Sequence, residues 1–220
     1  MATKRKKRKP LRKTDDRHPD VSYIVSAYSW VGQLPTCLHS LAAQTHQDFE
    51  VLVTDNSMDR KAIVDIRRIV AGIHDRRFRY LHTAPLIPVS DCYWSSEVGM
   101  RHTSGRWLCF PCDDCYYPPE WGQRMLAEAY RSNADLVLCE RSETGPATCG
   151  LDGYQELALG SLAFPGYKPS FIVRRERFAG WLNKPVMGAC SGVDRTTLQA
   201  LTRDSRIRWS VARGLYYAHN

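Results

Sequence analysis

With 220 residues, 43% hydrophobic and 25% charged, the chain has an ordinary globular composition and enough length to bury a core as one domain. No apolar run approaches the roughly 18 residues of a membrane span, and the N-terminus lacks the apolar heart of a signal peptide, so a cytoplasmic protein with no membrane span is expected. The net charge of +8 does not describe a basic surface, because nine of the 31 Lys/Arg but only three of the 23 Asp/Glu fall in residues 1–20. Residues 21–220 carry 22 basic and 20 acidic side chains and are close to neutral. A like-charged leader of this kind is expected to be disordered. It suits a solubilising arm, a nuclear-import signal, a nucleic-acid contact through phosphates or an anionic lipid surface.

The folded part opens with the β-rich run Val21–Ala27, and a turn follows over Tyr28–Gly32. Leu34, Cys37, Leu38, Leu41 and Ala42 recur at helical spacing, which predicts a helix from Leu34 to Ala43. Phe49–Thr54 predicts a second strand ending on Asp55, and Ile63, Ile66, Ile69 and Val70 stripe a helix from about Arg60 to Ala71. Phe78–His82 is a short third strand. After a Pro-broken loop, helical spacing resumes around 91–103 and stops at Ser104-Gly105. Trp107–Phe110 reads as a buried strand, Trp121–Tyr130 as a helix and Ala134–Cys139 as a further strand. Strands alternating with helices in this way predict an α/β domain with a mainly parallel sheet and helices on its faces. Glycines and prolines interrupt residues 140–170, leaving room for a short helix at Tyr154–Leu159. Phe171–Arg175 returns as a strand, Asp194 opens a helix to about Arg203, and Ile207–Val211 and Leu215–Tyr217 are short terminal strands.

Eight cysteines include the spacing Cys109-x2-Cys112-x2-Cys115. An iron–sulfur run needs a fourth cysteine, and a structural zinc site needs a second close pair. Buried, reduced thiols are one reading of the trio, and a cysteine-ligated metal is the other.

The strand Trp107–Phe110 runs into two adjacent carboxylates, Asp113 and Asp114, with Pro118 and Pro119 just beyond. Proline is favourable just inside a helix start, so the doublet lies between a strand and a helix. In open α/β sheets ligands bind outside the carboxyl ends of the strands. Two hard oxygen ligands there suit Mg²⁺ or Mn²⁺, held by carboxylates and substrate phosphates. A solvated acidic turn capping the next helix is the competing reading. Two other strand ends carry side chains suited to the same ligand. Ser26, Ala27 and Tyr28 follow the first strand and Asp55 follows the second, so that a carboxylate can accept from a base N–H while a small residue and a ring frame the base.

Five segments read V-S-Y-I-V-S-A-Y-S over Val21–Ser29, C-L-H-S-L-A-A-Q-T over Cys37–Thr45, V-T-D-N-S-M-D over Val53–Asp59, T-S-G-R-W-L over Thr103–Leu108 and F-P-C-D-D-C over Phe110–Cys115. In this order they resemble the family 2 glycosyltransferases, whose counterparts are V-S-V-I-I-P-T-Y-N, C-L-x-S-L-x-x-Q-T, V-D-D/N-G-S-x-D, A-x-G-E-Y-I and F-L-D-x-D-D. The resemblance covers most of residues 21–139 and extends over 171–220. It implies a single GT-A, Rossmann-like domain over residues 21–220 behind the basic tail of residues 1–20. Residues 21–139 would then form the nucleotide-sugar half and 140–220 the acceptor half.

The resemblance further implies a metal-dependent, inverting transfer of a sugar from a nucleotide-sugar, a UDP-sugar above all, to an acceptor hydroxyl. Asp114 would bridge the Mn²⁺ or Mg²⁺, and Asp113 would reach the ribose or assist the metal. Ser26, Ala27, Tyr28 and Asp55 would hold the nucleotide. Asp194, in the place of an acid before a late helix, would be the general base. His219, in a terminal segment like the family's Y-x-x-H strand, would be a further metal ligand or touch the diphosphate. Arg174, Arg175 and Trp181 are candidates for diphosphate, acceptor or sugar contacts.

The sequence departs from the family at Cys112, which replaces the first acid of D-x-D, at Ser26-Ala27, which replaces Pro-Thr, and at Ser95–Gly99, which lacks the Arg of A-R-N-x-G. The acceptor would be a glycan or, given the basic tail, a hydroxylated base in DNA. From other classes, a non-catalytic nucleotide-binding module and a metal protein built on Cys109, Cys112 and Cys115 stay open.

Overall fold

The structure, a computed structural model, describes residues 18–29, 31–84, 92–139, 142–143, 155–156, 171–179, 201–215 and 218–219. Its centre is β1 (Val21–Ala27), in which every residue but Ser26 is buried. A strand covered on both faces loses the polar alternation of an edge and sits inside a parallel sheet. β2 (Phe49–Asp55) and β3 (Phe78–His82) follow in parallel on one side, and β4 (Trp107–Cys109) lies parallel on the other. β6 (Leu136–Cys139), β9 (Phe171–Arg174) and β10 (Trp209–Ala212) complete seven strands in the order β10-β6-β9-β4-β1-β2-β3. β9 runs antiparallel to both neighbours, so the sheet is mixed but mainly parallel.

The period of two along β1 divides the core. Tyr23 and Val25 face the cluster that holds Leu34, Leu38, Ile66, Trp121 and Met125. These come from α1 (Leu34–Ala42), α2 (Arg60–Gly72) and α4 (Trp121–Ser132). Ile24 faces the other cluster, with Leu108, Phe110, Leu136, Phe171 and Phe178. α3 (Cys92–Arg101) packs on β1 and β2. It comes close because residue 99 is glycine: a Cβ there would overlap the Ile24 side chain and stand 2.9 Å from Thr54 Cγ2.

α2 starts where Asp59 caps it, its carboxylate accepting from the Ala62 N–H at 2.8 Å, a favourable N-cap. α4 starts differently from the expectation. Pro118 and Pro119 precede it rather than open it, and its N-cap, Glu120, makes no side-chain cap. Their carbonyls instead accept from Gln44 Nε2 at 2.7 Å and the Thr45 N–H at 2.7 Å, tying the end of α1 to the start of α4. The acidic doublet therefore caps no helix.

A second, four-stranded sheet was not expected. It joins β5 (Cys115–Tyr116), β11 (Ala218–His219), β7 (Ser142–Glu143) and β8 (Gln155–Glu156) in the order β5-β11-β7-β8. Gln155 and Glu156 are thus strand where the spacing suggested a helix over 154–159, because they pair with Glu143 and Ser142. Ala218–His219 form the last described strand, residues 216–217 of the strand expected at 215–217 lie outside the described residues, and β10 begins at Trp209 rather than Ile207. Residues 201–203 are helical, and the rest of the helix expected from Asp194 to about Arg203 lies outside the described residues. The basic residues 4–17, Trp181 and Asp194 itself lie outside the described residues.

Arg174 and Arg175 correct a further expectation. Both sit at the amino end of the parallel strands, away from the acidic doublet. The Arg175 guanidinium donates to the carbonyls of Gly105 at 2.6 Å and Met100 at 2.8 Å, and to the hydroxyls of Thr103 at 3.0 Å and Ser22 at 3.1 Å. Arg174 lies over the Trp107 ring at 4.7 Å and pairs with Asp135 at 3.4 Å. They bind the fold together.

Candidate active site

The chain builds β1, β2 and β3 outward in one direction and then crosses back to place β4 on the far side of β1. The strand order therefore reverses between β1 and β4, and a crevice opens beyond the carboxyl ends of the strands at such a point. Beyond those ends, Ser26 pairs with Cys112 in an isolated parallel bridge. The Ser26 N–H donates to the Pro111 carbonyl at 3.3 Å. Asp113 and Asp114 come immediately after, in a tight turn closed by the Cys115 N–H donating to the Cys112 carbonyl at 3.3 Å.

Each expected nucleotide residue stands on this edge. Ala27 is opposite Asp55 in the parallel register, and Asp55 is opposite His82. Against the larger upward push of burial, the Tyr28 backbone lowers the Asp113 carboxyl, while the Tyr28 residue is 46% exposed at the mouth. Ser29 takes a left-handed φ of 53° and donates its N–H to Ser57 Oγ at 2.8 Å, joining the same loop to the end of β2. The hydroxyls of Ser26 and Ser96 share a hydrogen bond of 3.3 Å, so α3 reaches the crevice with small side chains.

Asp55 is fully buried. Its Oδ1 accepts from the Ser57 N–H at 2.8 Å and its Oδ2 from the Tyr80 hydroxyl at 2.7 Å. A carboxylate has lone pairs beyond these two, but the burial favours a role in fixing the Asn56-Ser57 turn. Tyr80 feels the arrangement, its hydroxyl pushed well up by burial and by the neighbouring carboxylate. Ser57 and Ser96 lie within the segments compared with the family, but Tyr80 and His82, whose Nε2 lies 2.9 Å from the Ser57 carbonyl, carry no motif in the sequence. Only the parallel register brings Tyr80 of β3 beside the end of β2.

Burial, and then the charge of Asp114, push the Asp113 carboxyl up to about 7. The doublet also acts downward: burial first, then Asp113, raise the Cys37 thiol well above its usual range, and that thiol donates to the Cys112 carbonyl at 3.3 Å. A crowded pair of carboxylates at a strand-end crevice is a donor set that fits a divalent cation. Asp114 can supply the ligand, with Asp113 beside it. β11 places His219 opposite Cys115, one residue from Asp114. The expected His219 is thus brought to the same turn by backbone register.

The cysteine trio does not assemble as its spacing suggested. Cys109 is buried within β4, where Cys139 and Cys37 are its neighbours. Among the described residues, the ligand atoms of Cys112, Asp114 and Cys115 lie within 4.8 Å of one another, without Cys109.

The fold and this crevice define an α/β protein of the GT-A class. The chain belongs to glycosyl transferase family 2, whose profile matches residues 22–201. The solved structure of residues 1–349 of TarS from S. aureus is similar over 91% of this chain and 60% of its own, at 19% identity and a TM-score of 0.67. Another structure of that TarS segment contains UDP-GlcNAc and matches over 90% and 58%, at 19% identity and a TM-score of 0.66. The mannosyltransferase PcManGT from Pyrobaculum calidifontis, with GDP-Man and Mn²⁺, matches over 97% and 60%, at 15% identity and a TM-score of 0.61. The chain thus spans about three fifths of the length of these structures. A search of curated proteins returns no match. No helix among the described residues is long and apolar enough to cross a membrane.

Proposed function

We propose that this protein is a metal-dependent, inverting glycosyltransferase that moves a sugar from a UDP-sugar to an acceptor hydroxyl. The observation that carries the reading is the acidic turn Asp113-Asp114 at the point where the strand order reverses between β1 and β4. Membership of glycosyl transferase family 2 and the UDP-GlcNAc held by a similarly folded TarS structure support it.

In this reading Tyr28, half exposed at the mouth, stacks on the base. Ser26 and Ala27 leave room beside it, and Asp55 sets the wall through the Asn56-Ser57 turn. Asp113, beside the end of β1, faces the ribose. Asp114, with His219 from β11, would hold the Mn²⁺ or Mg²⁺. When bound, that cation supplies charge stabilisation to the departing diphosphate. Asp194 takes the acceptor proton as general base, and attack from the face opposite the leaving group inverts the anomeric centre. The expectation of a nucleic-acid acceptor rests on the basic leader, and no described residue adds to it.

The test is turnover. With Mn²⁺ the protein is expected to hydrolyse a UDP-sugar slowly to UDP, and Asp114→Asn is expected to lower that rate at least about a hundredfold, as loss of several kcal/mol of charge stabilisation implies. UDP binding without any turnover, unchanged by Asp114→Asn, would instead identify a non-catalytic nucleotide-binding module.

A further inference from the structure

The turn that carries Asp114 also carries two thiols. Cys112 is half-buried at the end of the bridge to Ser26, and Cys115 is buried at the start of β5. The Cys115 Sγ stands 3.7 Å from Asp114 Oδ1. All three ligand atoms lie within 4.8 Å of one another. Zinc–sulfur bonds of about 2.3 Å in a tetrahedron put two sulfurs about 3.8 Å apart, so small side-chain rotations bring this set to zinc geometry. The spacing Cys-x2-Cys is itself common in zinc sites. Magnesium and manganese favour oxygen ligands, whereas thiolates favour zinc and other soft ions.

We propose that Cys112, Asp114 and Cys115 form a three-ligand site for a thiophilic divalent cation, Zn²⁺, with a water or a diphosphate oxygen in the fourth position. The two thiols each release a proton to solvent as they ligate, and no electron is transferred. Because the site shares Asp114 with the hard cation, zinc and manganese exclude one another. This exclusion rests on the reading of Asp114 given above, whereas zinc binding itself does not.

The test uses the full chain with metal alone. Co²⁺ as a spectroscopic stand-in should give a sulfur-to-metal charge-transfer band, and Zn²⁺ affinity should be measurable by competition with a chromophoric chelator. Cys112→Ser, at a half-buried position that tolerates the change, should remove most of the band and weaken Zn²⁺ at least about tenfold. Asp114→Asn should weaken Zn²⁺ while leaving both thiols in place. Cys112→Asp, which makes the donors harder, should shift preference from Zn²⁺ toward Mn²⁺. No charge-transfer band, or a Zn²⁺ affinity unchanged by Cys112→Ser and Asp114→Asn, overturns the proposal. These readouts need no sugar substrate, so a failure of turnover leaves them standing, and their own failure counts against the zinc site alone.

Discussion

At the scale of single residues, Arg175 shows how a charged side chain can serve packing rather than a ligand. Four acceptors from three segments converge on one guanidinium, an arrangement that needs a planar fork of donors. The neighbouring Gly105 permits the approach, since a Cβ there would stand 2.6 Å from the Ser22 backbone nitrogen. Arg175→Lys keeps the charge but reaches fewer acceptors. It is expected to cost about 2 kcal/mol in a urea titration and to leave affinity for UDP unchanged, because the residue lies at the amino end of the sheet. A loss of UDP affinity at unchanged stability would place the guanidinium in the ligand site instead.

At the scale of elements, two carboxylates bind strand starts to their surroundings. Burial pushes Glu50 up, but the Ser104 N–H, the Ser22 hydroxyl, Arg79 and the Gly105 N–H outweigh it and hold the group below its usual range. Burial likewise opposes Asp135, and the hydrogen bonds and charge of Arg208, with Arg177, bring it below. Both groups thus bind protons more weakly folded than unfolded. Their contribution to stability is complete above the unfolded value of about 4 and is lost as pH falls through the lower folded values. Denaturant stability should therefore fall below about pH 4, and Glu50→Gln should flatten that fall while lowering stability at neutral pH. A Glu50→Gln protein with the wild-type acid profile would contradict this.

The elements that sequence periodicity found are those whose burial is one-sided or complete. β1, α1, α2 and β3 all lie within a residue or two of their expected bounds, because apolar spacing and a cap such as Asp59 mark them locally. β5, β7, β8 and β11 each have two residues. Too short to show a period, they exist only because distant segments pair, and so Gln155-Glu156 was open to a helical reading.

For the whole molecule, the acidic doublet was legible in the sequence as chemistry, but its position was not. Only the strand order shows that Asp113 and Asp114 face a reversal point, and only the register brings His219 to within one residue of Asp114. Asp55 was legible as a strand-end acid, whereas its burial under Tyr80 depends on a neighbour 25 residues away in the chain. The central claim is that the crevice between β1 and β4 holds a nucleoside diphosphate through a cation on Asp114. Calorimetric titration of UDP into the wild-type protein and Asp114→Asn, each with Mn²⁺ and with a chelator, tests it most directly. The account predicts binding to the wild type with Mn²⁺ that weakens at least about tenfold, or ~1.4 kcal/mol, on removing either the cation or the carboxylate. One and the same Kd in all four titrations would contradict it.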